Sequence, residues 1–505
     1  MMSSFGSLCN KICFSTTPLE RNRGGRRFFT AIYPQRLGRA ALWTGLVDRP
    51  VAGASSAMAF SQALYRTALR ALRALSPVMM GGESKLARGL RGRRDAHERL
   101  SAWGRGVRSS GGGGGGGGLG TAGMAPVDHP IVWVHASSLG ESLQARAVID
   151  VLRRRTPGLQ VVFTFFSPSA ERVCEVFPAD ICSYLPWDLP GVMGPVLDTV
   201  QPSVIMFTQR EVWPTLADQA ATRGVPTVLI AGTMPEGAGR LSRAGRLVLG
   251  DAFRSLRAVA AVSEEDGERF GLLGVKSDRV TVTGDPGVDA VRDRASGIDH
   301  TASHMRIFGD ERGPILVAGS TWPSDEKVLI PAVARVRESV HGLRVVLAPH
   351  EPDGCDFAGL GRALAEDGWT PALLRDIEPA HDADVILVDR VGVLADLYAL
   401  GSVAYVGGGF HKGGLHSVLE PAAAASPVLI GPRYGDSVHA AGLLAAGAAR
   451  SVVDAEGLAH ALREWLEAPE KIEDARQRAI RYIENHRGSA GCTADLISQF
   501  LPRQA

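Results

Sequence analysis

The stretch Ile131-Val-Trp-Val-His-Ala-Ser137 decides the fold, because it is a continuous apolar run that ends in small polar residues just before Gly140. Such a run, without polar alternation, is typical of a strand buried on both faces of a parallel sheet. Five further runs follow, separated by helical stretches, at residues 161–166, 204–208, 226–232, 259–263 and 280–284. A second series comprises residues 315–321, 345–350, 385–389, 403–408, 427–432 and 450–454. Two successive series of this kind predict two doubly wound, Rossmann-like α/β domains that face each other across a cleft.

The domain boundaries follow from where these series begin and end. We expect an amino-terminal domain over 130–300, a carboxyl-terminal domain over 301–490 with a last helical stretch that crosses back onto the first domain, and a tail over 491–505. Residues 1–57 show no clear period, so we expect a disordered arm or a stretch upstream of a true start at Met58. Eight consecutive glycines, residues 111–118, make 109–129 a flexible tether.

The charge of the chain is divided unevenly along its length. Residues 1–125 hold 19 Lys and Arg against 5 Asp and Glu, whereas the remainder holds 36 against 48, so a net charge of +2 hides a basic arm on an acidic body. A basic arm suits an anionic surface, and an acidic body is unlike a nucleic-acid groove. We therefore expect no nucleic-acid partner.

Residues 58–108 are predicted to form basic, membrane-proximal helices. No stretch reaches the ~18–20 uninterrupted apolar residues of a membrane span. In residues 58–80 the apolar run is interrupted by Arg66, Arg70 and Arg73, which indicates an amphipathic helix lying on a bilayer surface. A helix packed on the body with its arginines in solvent is the open alternative. The basic stretch 85–94 would suit phosphate headgroups.

The six cysteines show no CxxC pair and no regular spacing. They stand at Cys9, Cys13, Cys174, Cys182, Cys355 and Cys492. This pattern speaks against a zinc ribbon or a disulfide framework and is typical of a reducing cytosol.

Functional side chains are expected directly after the apolar runs, because ligands of such sheets bind at the carboxyl ends of the strands. Glu141 opens the helix after the first run, where a carboxylate can take a proton from a substrate hydroxyl. The alternative is an acidic residue in the first helical turn, favoured by the helix dipole. Arg210 and Glu211 follow the third run beside Trp213-Pro214 and are candidates for binding a polar substrate.

Two constellations belong to the second domain. Residues 319–326, Gly-Ser-Thr-Trp-Pro-Ser-Asp-Glu, could form an anion site at a helix N-terminus, could be N-capped by Ser324, or both. Residues 407–421 combine glycines with Lys412 and His416 and so could let a phosphate approach backbone amides. Glu420, one turn beyond His416, is placed for a ribose diol. A metal site on these two residues has only two obvious ligands, so no metal is expected.

Taken together, these segments resemble the 3-deoxy-D-manno-octulosonic acid (Kdo) transferases, the lipid A-specific GT-B enzymes of glycosyltransferase family 30. The likeness runs from about residue 60 to 490 and is carried by motifs in one order. They are VHASSLGE (134–141), YLPWDLPG (184–191), EVWP (211–214), VSEEDGERF (262–270), VTVTGD (280–285), AGSTWPSDE (318–326), APHEPD (348–353), YVGGGF (405–410), HSVLEPAA (416–423) and IGPRYGD (430–436).

The resemblance implies roles for particular positions. Glu141 matches the family's general base and Glu211 its second acidic residue, which stabilises the transition state. The donor-binding positions matched are Pro349, His350, Val391, Gly392, Val393, Ser417, Val418, Leu419 and Glu420. The chain departs from the common pattern at four places: Ser417 replaces Asn, Val393 replaces Glu, Trp322 replaces His, as in one branch of the family, and Gly287 replaces a basic residue. Because that basic residue would help to neutralise the leaving phosphate, Arg210, Lys412 or Arg433 would have to take its place.

The resemblance also implies the reaction. It is the transfer of Kdo from CMP-Kdo to a lipid A precursor, lipid IVA, with inversion, without cofactor or metal, by a protein held peripherally on the cytoplasmic face of the inner membrane by anionic lipids. Two alternatives stay open: a GT-B transferase using another nucleotide sugar, and a catalytically degenerate homologue that binds lipid surfaces.

Overall fold

The computed structural model describes residues 54–82, 84–110, 129–308, 313–376 and 382–502. The predictions for residues 1–53 and for the glycine run at 111–118 concern residues outside these ranges.

The first domain is built on a parallel sheet of seven strands in the order β3-β2-β1-β4-β5-β6-β7. Its strands are β1 Ile131–His135, β2 Gln160–Phe165, β3 Ile181–Tyr184, β4 Val204–Thr208, β5 Thr227–Gly232, β6 Ala258–Ala261 and β7 Val280–Val282. Successive residues of β1 enter opposite cores, since Trp133 packs with Phe207 on one face and Val134 packs with Phe163 on the other. This double burial explains why the strand has no polar alternation.

The second domain repeats the design, with the strand order β10-β11-β9-β8-β12-β13-β14. Its strands are β8 Ile315–Thr321, β9 Arg344–Pro349, β10 Pro371–Leu373, β11 Val385–Leu387, β12 Val403–Val406, β13 Val428–Ile430 and β14 Ala449–Ser451. Leu316 and Ala318 pack on one face of this sheet and Val317 on the other. The prediction of two doubly wound α/β domains is confirmed.

Helices cover both faces of each sheet. In chain order they are α1 Ala54–Met79, α2 Lys85–Arg94, α3 Ala96–Ser110, α4 Leu139–Arg155, α5 Pro190–Val200, α6 Pro214–Thr222, α7 Arg243–Ser255, α8 Glu264–Gly271, α9 Pro286–Ser296, α10 Pro323–Arg337, α11 Phe357–Glu366, α12 Leu394–Leu397, α13 Leu419–Ala423, α14 Val438–Ala445, α15 Ala455–Leu466, α16 Pro469–Asn485 and α17 Ser489–Ser498.

Two strands, β3 and β10, were not predicted from the sequence. Both lie at an edge of their sheet. Only Ser183 and Tyr184 of β3 are buried, and no residue of β10 is fully buried. Because these two strands are only partly buried, they need no continuous apolar run. The pattern that revealed the other twelve strands was therefore absent.

The chain returns to the first domain through α16 and α17, which are separated by a break at Gly488. This glycine has a φ of +93°, a left-handed conformation that residues with a side chain rarely adopt. The Asp289 carboxylate of α9 accepts hydrogen bonds from the Gly488 and Ala490 amides at 2.6 and 2.7 Å. The last helix, α17, then packs against α4 and α9.

The amino-terminal helices pack on the first domain. Tyr65 and Leu69 of α1 contact a cluster that contains Trp187, and the Tyr65 hydroxyl donates to Asp188 at 2.9 Å. Arg66 pairs with Asp218 at 3.1 Å. One face of α1 therefore packs on the body of the protein, as in the alternative that the sequence left open. In the part of the chain that the structure describes, no helix is long and apolar enough to span a membrane.

One sequence expectation about the cysteines needs correction. Cys174, in a 3₁₀ turn at Pro168–Glu175, and Cys182 of β3 form a disulfide with a Cα–Cα distance of 5.6 Å. The expectation of no disulfide framework missed this pair, because β3, which returns beside the turn, had not been recognised as a strand. Cys355 and Cys492 are free, whereas Cys9 and Cys13 lie outside the described residues.

Candidate active site

The first half of the site lies at the carboxyl end of β1, where Glu141 sits in the first turn of α4. Ser138 is the N-cap, and its hydroxyl and the Ser137 amide both donate to the Glu141 carboxylate, at 3.2 and 2.8 Å. The Glu141 amide in turn donates to the Ser138 hydroxyl at 3.4 Å, the usual hydrogen bond of a serine N-cap. Glu141 thus lies in the first helical turn, where the helix dipole favours an acidic residue, as in the alternative given above, but that alternative does not describe the whole environment of this carboxylate.

Glu141 is buried, with 8% of its surface exposed, although the sequence suggested an exposed carboxylate. Burial raises its pKa to about 8, and repulsion by the nearby Glu211 carboxylate adds to the shift, while the two serine hydrogen bonds and Arg210 oppose it. A carboxyl group with a pKa near the working pH suits proton transfer.

Glu211 follows β4 and is brought to the same edge of the sheet. Arg240 donates to its carboxylate at 2.6 Å, and both side chains are partly buried. Arg210 lies close enough to act on the charge of Glu141. The two acidic residues that the sequence singled out are thus brought together, one paired with an arginine and the other held by neutral donors.

Between these elements lies a buried pair that sequence reasoning did not find. Trp213 donates its indole hydrogen to Nε2 of His135 at 2.8 Å, and Nδ1 of His135 lies 3.1 Å from the Thr164 hydroxyl. The indole is only a donor, so Nε2 is the acceptor and the ring is neutral with its hydrogen on Nδ1. Burial, with a smaller contribution from the Arg93 charge, lowers the pKa of His135 to about 3.

The second half of the site lies at the carboxyl ends of β8, β9 and β12. His350 follows β9, and its amide donates to the Thr321 carbonyl at 2.9 Å. The Trp322 ring stacks on His411 with centroids 4.1 Å apart, and His350 stacks on His416 at the same distance. Trp322 also donates its indole hydrogen to Nε2 of His416 at 3.0 Å. That nitrogen is therefore not available as a metal ligand.

The predicted N-cap of α10 is corrected by the structure. Trp322, not Ser324, occupies the N-cap position, and the Asp325 carboxylate accepts from the Trp322 amide at 3.0 Å. Asp325 is fully buried and also accepts from the amides of Gly408 and Phe410, at 2.9 and 3.3 Å. Its position in the helix places it against the glycine loop, whereas the hydroxyl of Ser324 has no hydrogen-bond partner in the part of the chain that the structure describes.

The glycine loop at 407–415 is consequently held by protein groups. Its predicted role of presenting free amides to a phosphate is wrong for Gly408 and Phe410, because Asp325 occupies both. The glycines are required by close packing: a Cβ on Gly409 would lie 2.5 Å from the Gly431 backbone, and Gly408 has a φ of +95°. Lys412 is exposed at the tip of the loop.

The remaining donor-site candidates surround the start of α13. Ser417 is exposed, its hydroxyl accepts from the Leu419 amide at 3.4 Å, and Val418 is the N-cap of the helix. Glu420 lies in the first turn; burial raises the pKa of its carboxyl, Arg294 opposes that shift, and Asp396 adds to it. Pro349, at the end of β9, is partly buried.

A residue of the first domain reaches this side of the site. Arg294 of α9 donates to the Gly392 carbonyl at 2.8 Å and pairs with Asp396 at 3.3 Å. Gly392 has a φ of +94°, Val391 is half exposed and Val393 is the N-cap of α12. Sequence reasoning missed Arg294, although its spacing of seven from Gly287 places both on one face of α9.

The structure explains the glycine at position 287. The Asp285 carboxylate accepts from the Gly287 amide at 2.7 Å, from Gln144 at 2.8 Å and from Nε2 of His439 at 3.0 Å. A Cβ on Gly287 would lie 2.9 Å from Asp285 and 3.2 Å from Gln144. A network that joins the two domains therefore occupies the space where the family pattern has a basic side chain.

Of the three basic residues considered as replacements, the structure places one beside the acidic pair. Arg210 acts on the charge of Glu141, whereas Lys412 and Arg433 are exposed on the second domain. Within the described ranges, no group of three or more His, Cys, Asp or Glu residues is arranged to hold a metal ion.

Comparisons with known proteins agree with this architecture. Residues 116–290 match the sequence model of the family described as 3-deoxy-D-manno-octulosonic-acid transferase (kdotransferase). The chain is 30% identical over 396 residues to the 3-deoxy-D-manno-octulosonic acid transferase of Bordetella pertussis, covering 76% of this chain and 90% of that protein. The enzyme of the same name from Haemophilus influenzae is 26% identical over 381 residues, which cover 74% of this chain and 87% of that protein.

A solved structure shows the same fold at low sequence identity. The UDP-GlcNAc 2-epimerase of Neisseria meningitidis, bound to UDP-GlcNAc, superimposes with a TM-score of 0.52 and 14% identity. The superposition covers 74% of this chain and 99% of the epimerase. Two Rossmann-like domains around a cleft, the GT-B arrangement, are thus common to both proteins.

Proposed function

Because the chain belongs to the 3-deoxy-D-manno-octulosonic acid transferase family, we propose that it transfers Kdo from CMP-Kdo to the lipid A precursor lipid IVA, with inversion, in lipopolysaccharide biosynthesis. The observation that carries the proposal is the buried Glu141 carboxyl group at the cleft edge of the first sheet, with its pKa raised to about 8. Because the neighbouring Glu211 carboxylate is held in an ion pair with Arg240 at 2.6 Å, Glu141 acts as the base that activates the acceptor for a direct displacement, which inverts the configuration.

Glu141 acts as the general base in this proposal. A sugar hydroxyl is too weakly acidic to lose its proton before the reaction, so the base takes the proton as the new bond forms. The ion pair with Arg240 holds the Glu211 carboxylate beside Glu141. Repulsion between the two carboxylates and the burial of Glu141 both raise the pKa of Glu141. Glu211 then faces the positive charge that develops on the sugar ring in the transition state.

The donor nucleotide occupies the second domain. Glu420 accepts hydrogen bonds from the ribose hydroxyls, while Ser417, the 391–393 loop and the Pro349-His350 turn surround the base and the phosphate. Arg294 already ties this loop to the first domain through the Gly392 carbonyl. CMP leaves with one phosphate, and its charge requires fewer cationic groups than a diphosphate would. Arg210 supplies the charge that Gly287 lacks.

The protein is held peripherally on the cytoplasmic face of the inner membrane by the outer face of α1. Leu64, Leu75 and Val78 are exposed there, with Val78 at 85%, and Arg70 and Arg73 are exposed on the same helix. Arg66 is instead engaged with Asp218. The apolar residues would enter the lipid surface and the two exposed arginines would contact anionic headgroups.

Product analysis tests the reaction. The full chain is incubated with CMP-Kdo and lipid IVA, and products are identified by mass spectrometry, with CMP release measured in parallel. We expect Kdo-modified lipid IVA and one CMP per transferred sugar. Transfer only from another nucleotide sugar would identify a different GT-B transferase, and vesicle binding without any transfer would identify a degenerate homologue; either result contradicts the proposal.

Membrane attachment is tested on vesicles that contain an anionic phospholipid. Replacing Arg70 and Arg73 with Gln should weaken binding by about 2 kcal/mol, or about 30-fold, since each basic residue near such a surface contributes about 1 kcal/mol. The matched control, Arg66→Gln, removes the same charge from the ion pair with Asp218 and should affect binding less than either single outer variant. Equal effects of all three substitutions would assign the contact to another surface.

A further inference from the structure

Trp322, His350, His411 and His416 form a cluster of stacked rings, of which only His350 has a role in the proposed donor site above. The four rings of the cluster lie at the carboxyl edge of the second sheet. Trp322 follows β8, His350 follows β9, His411 belongs to the glycine loop and His416 comes directly after that loop. Two stacked contacts at 4.1 Å and one indole hydrogen bond at 3.0 Å order them. Ser417 and Glu420, two donor-site candidates, follow His416 directly in the chain.

The indole hydrogen bond determines the state of the His416 ring. Because an indole nitrogen only donates, Nε2 of His416 must accept, and the neutral ring then carries its hydrogen on Nδ1. Protonation would place a second hydrogen on Nε2, against the indole hydrogen. Burial and the facing rings of His350 and His411 act in the same direction and lower the pKa of His416 to about 4.

Nδ1 of His416 is the open end of this arrangement. It has no hydrogen-bond partner among the described residues, and the ring is only partly buried, so a ligand can reach this atom. In the first domain, the corresponding Nδ1 of His135 is occupied by the Thr164 hydroxyl. The His416 ring is thus fixed in plane and in tautomer, with one donor left for a ligand.

We propose that Trp322 is a positioning residue that locks His416 in its Nδ1–H tautomer, so that His416 donates a hydrogen bond to an oxyanion of the bound donor. The inference rests on the proposed function and deepens it. The donor substrate offers two such groups, the phosphate of CMP and the carboxylate of Kdo. A neutral donor binds either one with the same strength across the physiological pH range, whereas a ring free to titrate would not.

The tautomer is tested directly by nitrogen-15 NMR of the histidine rings in the full chain. We expect wild-type His416 in the Nδ1–H form and unprotonated down to pH 5. In Trp322→Phe the ring loses the indole hydrogen bond, so we expect the Nε2–H form to appear and the pKa to move up towards its ordinary value of 6.5. His411→Ala removes a stacked ring and the hydrogen bond that His411 accepts from the Gly413 amide, but it leaves the indole hydrogen bond to His416, so it should keep the tautomer. An unchanged His416 spectrum in Trp322→Phe would overturn the proposal.

Binding measurements identify the oxyanion. By calorimetry, His416→Ala should weaken CMP binding about tenfold if the ring meets the phosphate, as expected for one hydrogen bond to a charged group. If it meets the carboxylate, CMP affinity stays unchanged and the KM for CMP-Kdo rises by a similar factor. Trp322→Phe should make the affected constant vary between pH 5.5 and 7.5, where the wild type is flat. No change in either constant refutes the proposal.

These results are separable from a failure of the proposed function. If the wild-type chain binds no CMP and transfers no Kdo, the function fails, whereas the tautomer measurement still reports on Trp322 and His416. Melting temperatures of both variants show whether the fold is retained, and an Nε2–H tautomer in a folded wild type contradicts the inference whatever the chain binds.

Discussion

Each domain contains a tryptophan that donates to Nε2 of a histidine at the carboxyl edge of its sheet, and the two pairs differ in what the other ring nitrogen meets. Trp213 and His135 are 2.8 Å apart, and Nδ1 of His135 is satisfied by Thr164. The Trp322 indole nitrogen and Nε2 of His416 are 3.0 Å apart, and Nδ1 of His416 has no hydrogen-bond partner among the described residues. The same hydrogen bond therefore stabilises a core in one domain and leaves a donor for a ligand in the other.

The carboxylates of the two halves differ in a related way. Glu141 is buried among donors from its own helix start, so its charge is suppressed and its proton can be exchanged. Glu420 lies in a first turn whose surroundings include Arg294 from the other domain. The first half is thus arranged for proton transfer and the second for recognition, and four experiments can break or sharpen this distinction.

The largest effect is expected for Glu141→Gln. The amide keeps the size of the side chain and can still accept the Ser137 hydrogen bond, but it cannot take a proton, so transfer should fall by about 10²–10⁴-fold. CMP affinity should hardly change, because the nucleotide lies on the second domain. The measurement is the initial rate of transfer together with CMP calorimetry.

Asp266→Asn is the matched control for that variant. Asp266 is also a buried first-turn carboxylate, to which the Ser263 hydroxyl donates at 2.9 Å, but it belongs to α8 and also accepts from the Met234 amide at 2.6 Å. Its substitution should lower the melting temperature and leave turnover near the wild-type rate. Near-normal turnover in Glu141→Gln would remove Glu141 from the mechanism.

The second experiment varies pH. If the base form of Glu141 is required, kcat/KM should rise by about tenfold per pH unit below pH 8 and level off above it. The free energy of unfolding should change in the opposite direction. The pKa of Glu141 in the folded state, about 8, lies above the ordinary value of 4.5, so between these pH values the folded state holds a proton that the unfolded state releases. The contribution of Glu141 to stability therefore decreases as the pH rises from 4.5 to 8.

Glu141→Gln removes both dependences. The melting temperature of the variant should increase relative to that of the wild type as the pH rises from 5 to 8. The residual kcat/KM of the variant should not rise with pH over this range. Parallel melting curves for the two proteins over this range would show that Glu141 titrates near its ordinary value, contrary to the expected effect of its burial.

The third experiment addresses the recognition half. In the proposed donor site, Glu420→Ala removes the hydrogen bonds between a carboxylate and the ribose hydroxyls, so the substitution should weaken CMP binding by about 10–100-fold. The control Glu456→Ala changes an exposed first-turn carboxylate of α15 in the same domain and should leave CMP affinity unchanged. Ser417→Ala should have a smaller effect, because its exposed hydroxyl already accepts from the Leu419 amide. Normal calorimetry for Glu420→Ala would place the nucleotide elsewhere.

The smallest effect compares the two tryptophans by stability alone. Trp213→Phe removes the indole hydrogen bond to Nε2 of the fully buried His135 and leaves the Ser137 hydroxyl, 3.3 Å away, as a partner of that nitrogen, so the loss should be about 0.5–1.5 kcal/mol of unfolding free energy. Trp322→Phe should cost less, because His416 is only partly buried and water can replace the indole. Chemical denaturation measures both. Equal losses would show that the second pair is as structural as the first.

Particular residues show why sequence reasoning found some of this and missed the rest. Glu141 and Glu420 were found because each follows an apolar strand run and opens a helix, a local pattern. Arg294, Gln144 and His439 were missed because their partners, Gly392 and Asp285, are up to 154 residues away. The role of Asp325, read as part of a helix cap or anion site, was decided by Tyr405 and the glycine loop that pack against it.

The sequence by itself determined the two doubly wound domains and the positions at which functional residues follow the strands, because burial on both faces imposes continuous apolar runs and the carboxyl ends of parallel strands meet at one edge. Only the tertiary structure decided the burial and raised pKa of Glu141, the packing that requires glycine at position 287, and the accessible Nδ1 of His416. Each depends on the approach of groups distant in sequence, since desolvation, repulsion and hydrogen bonding act over a few ångströms of space.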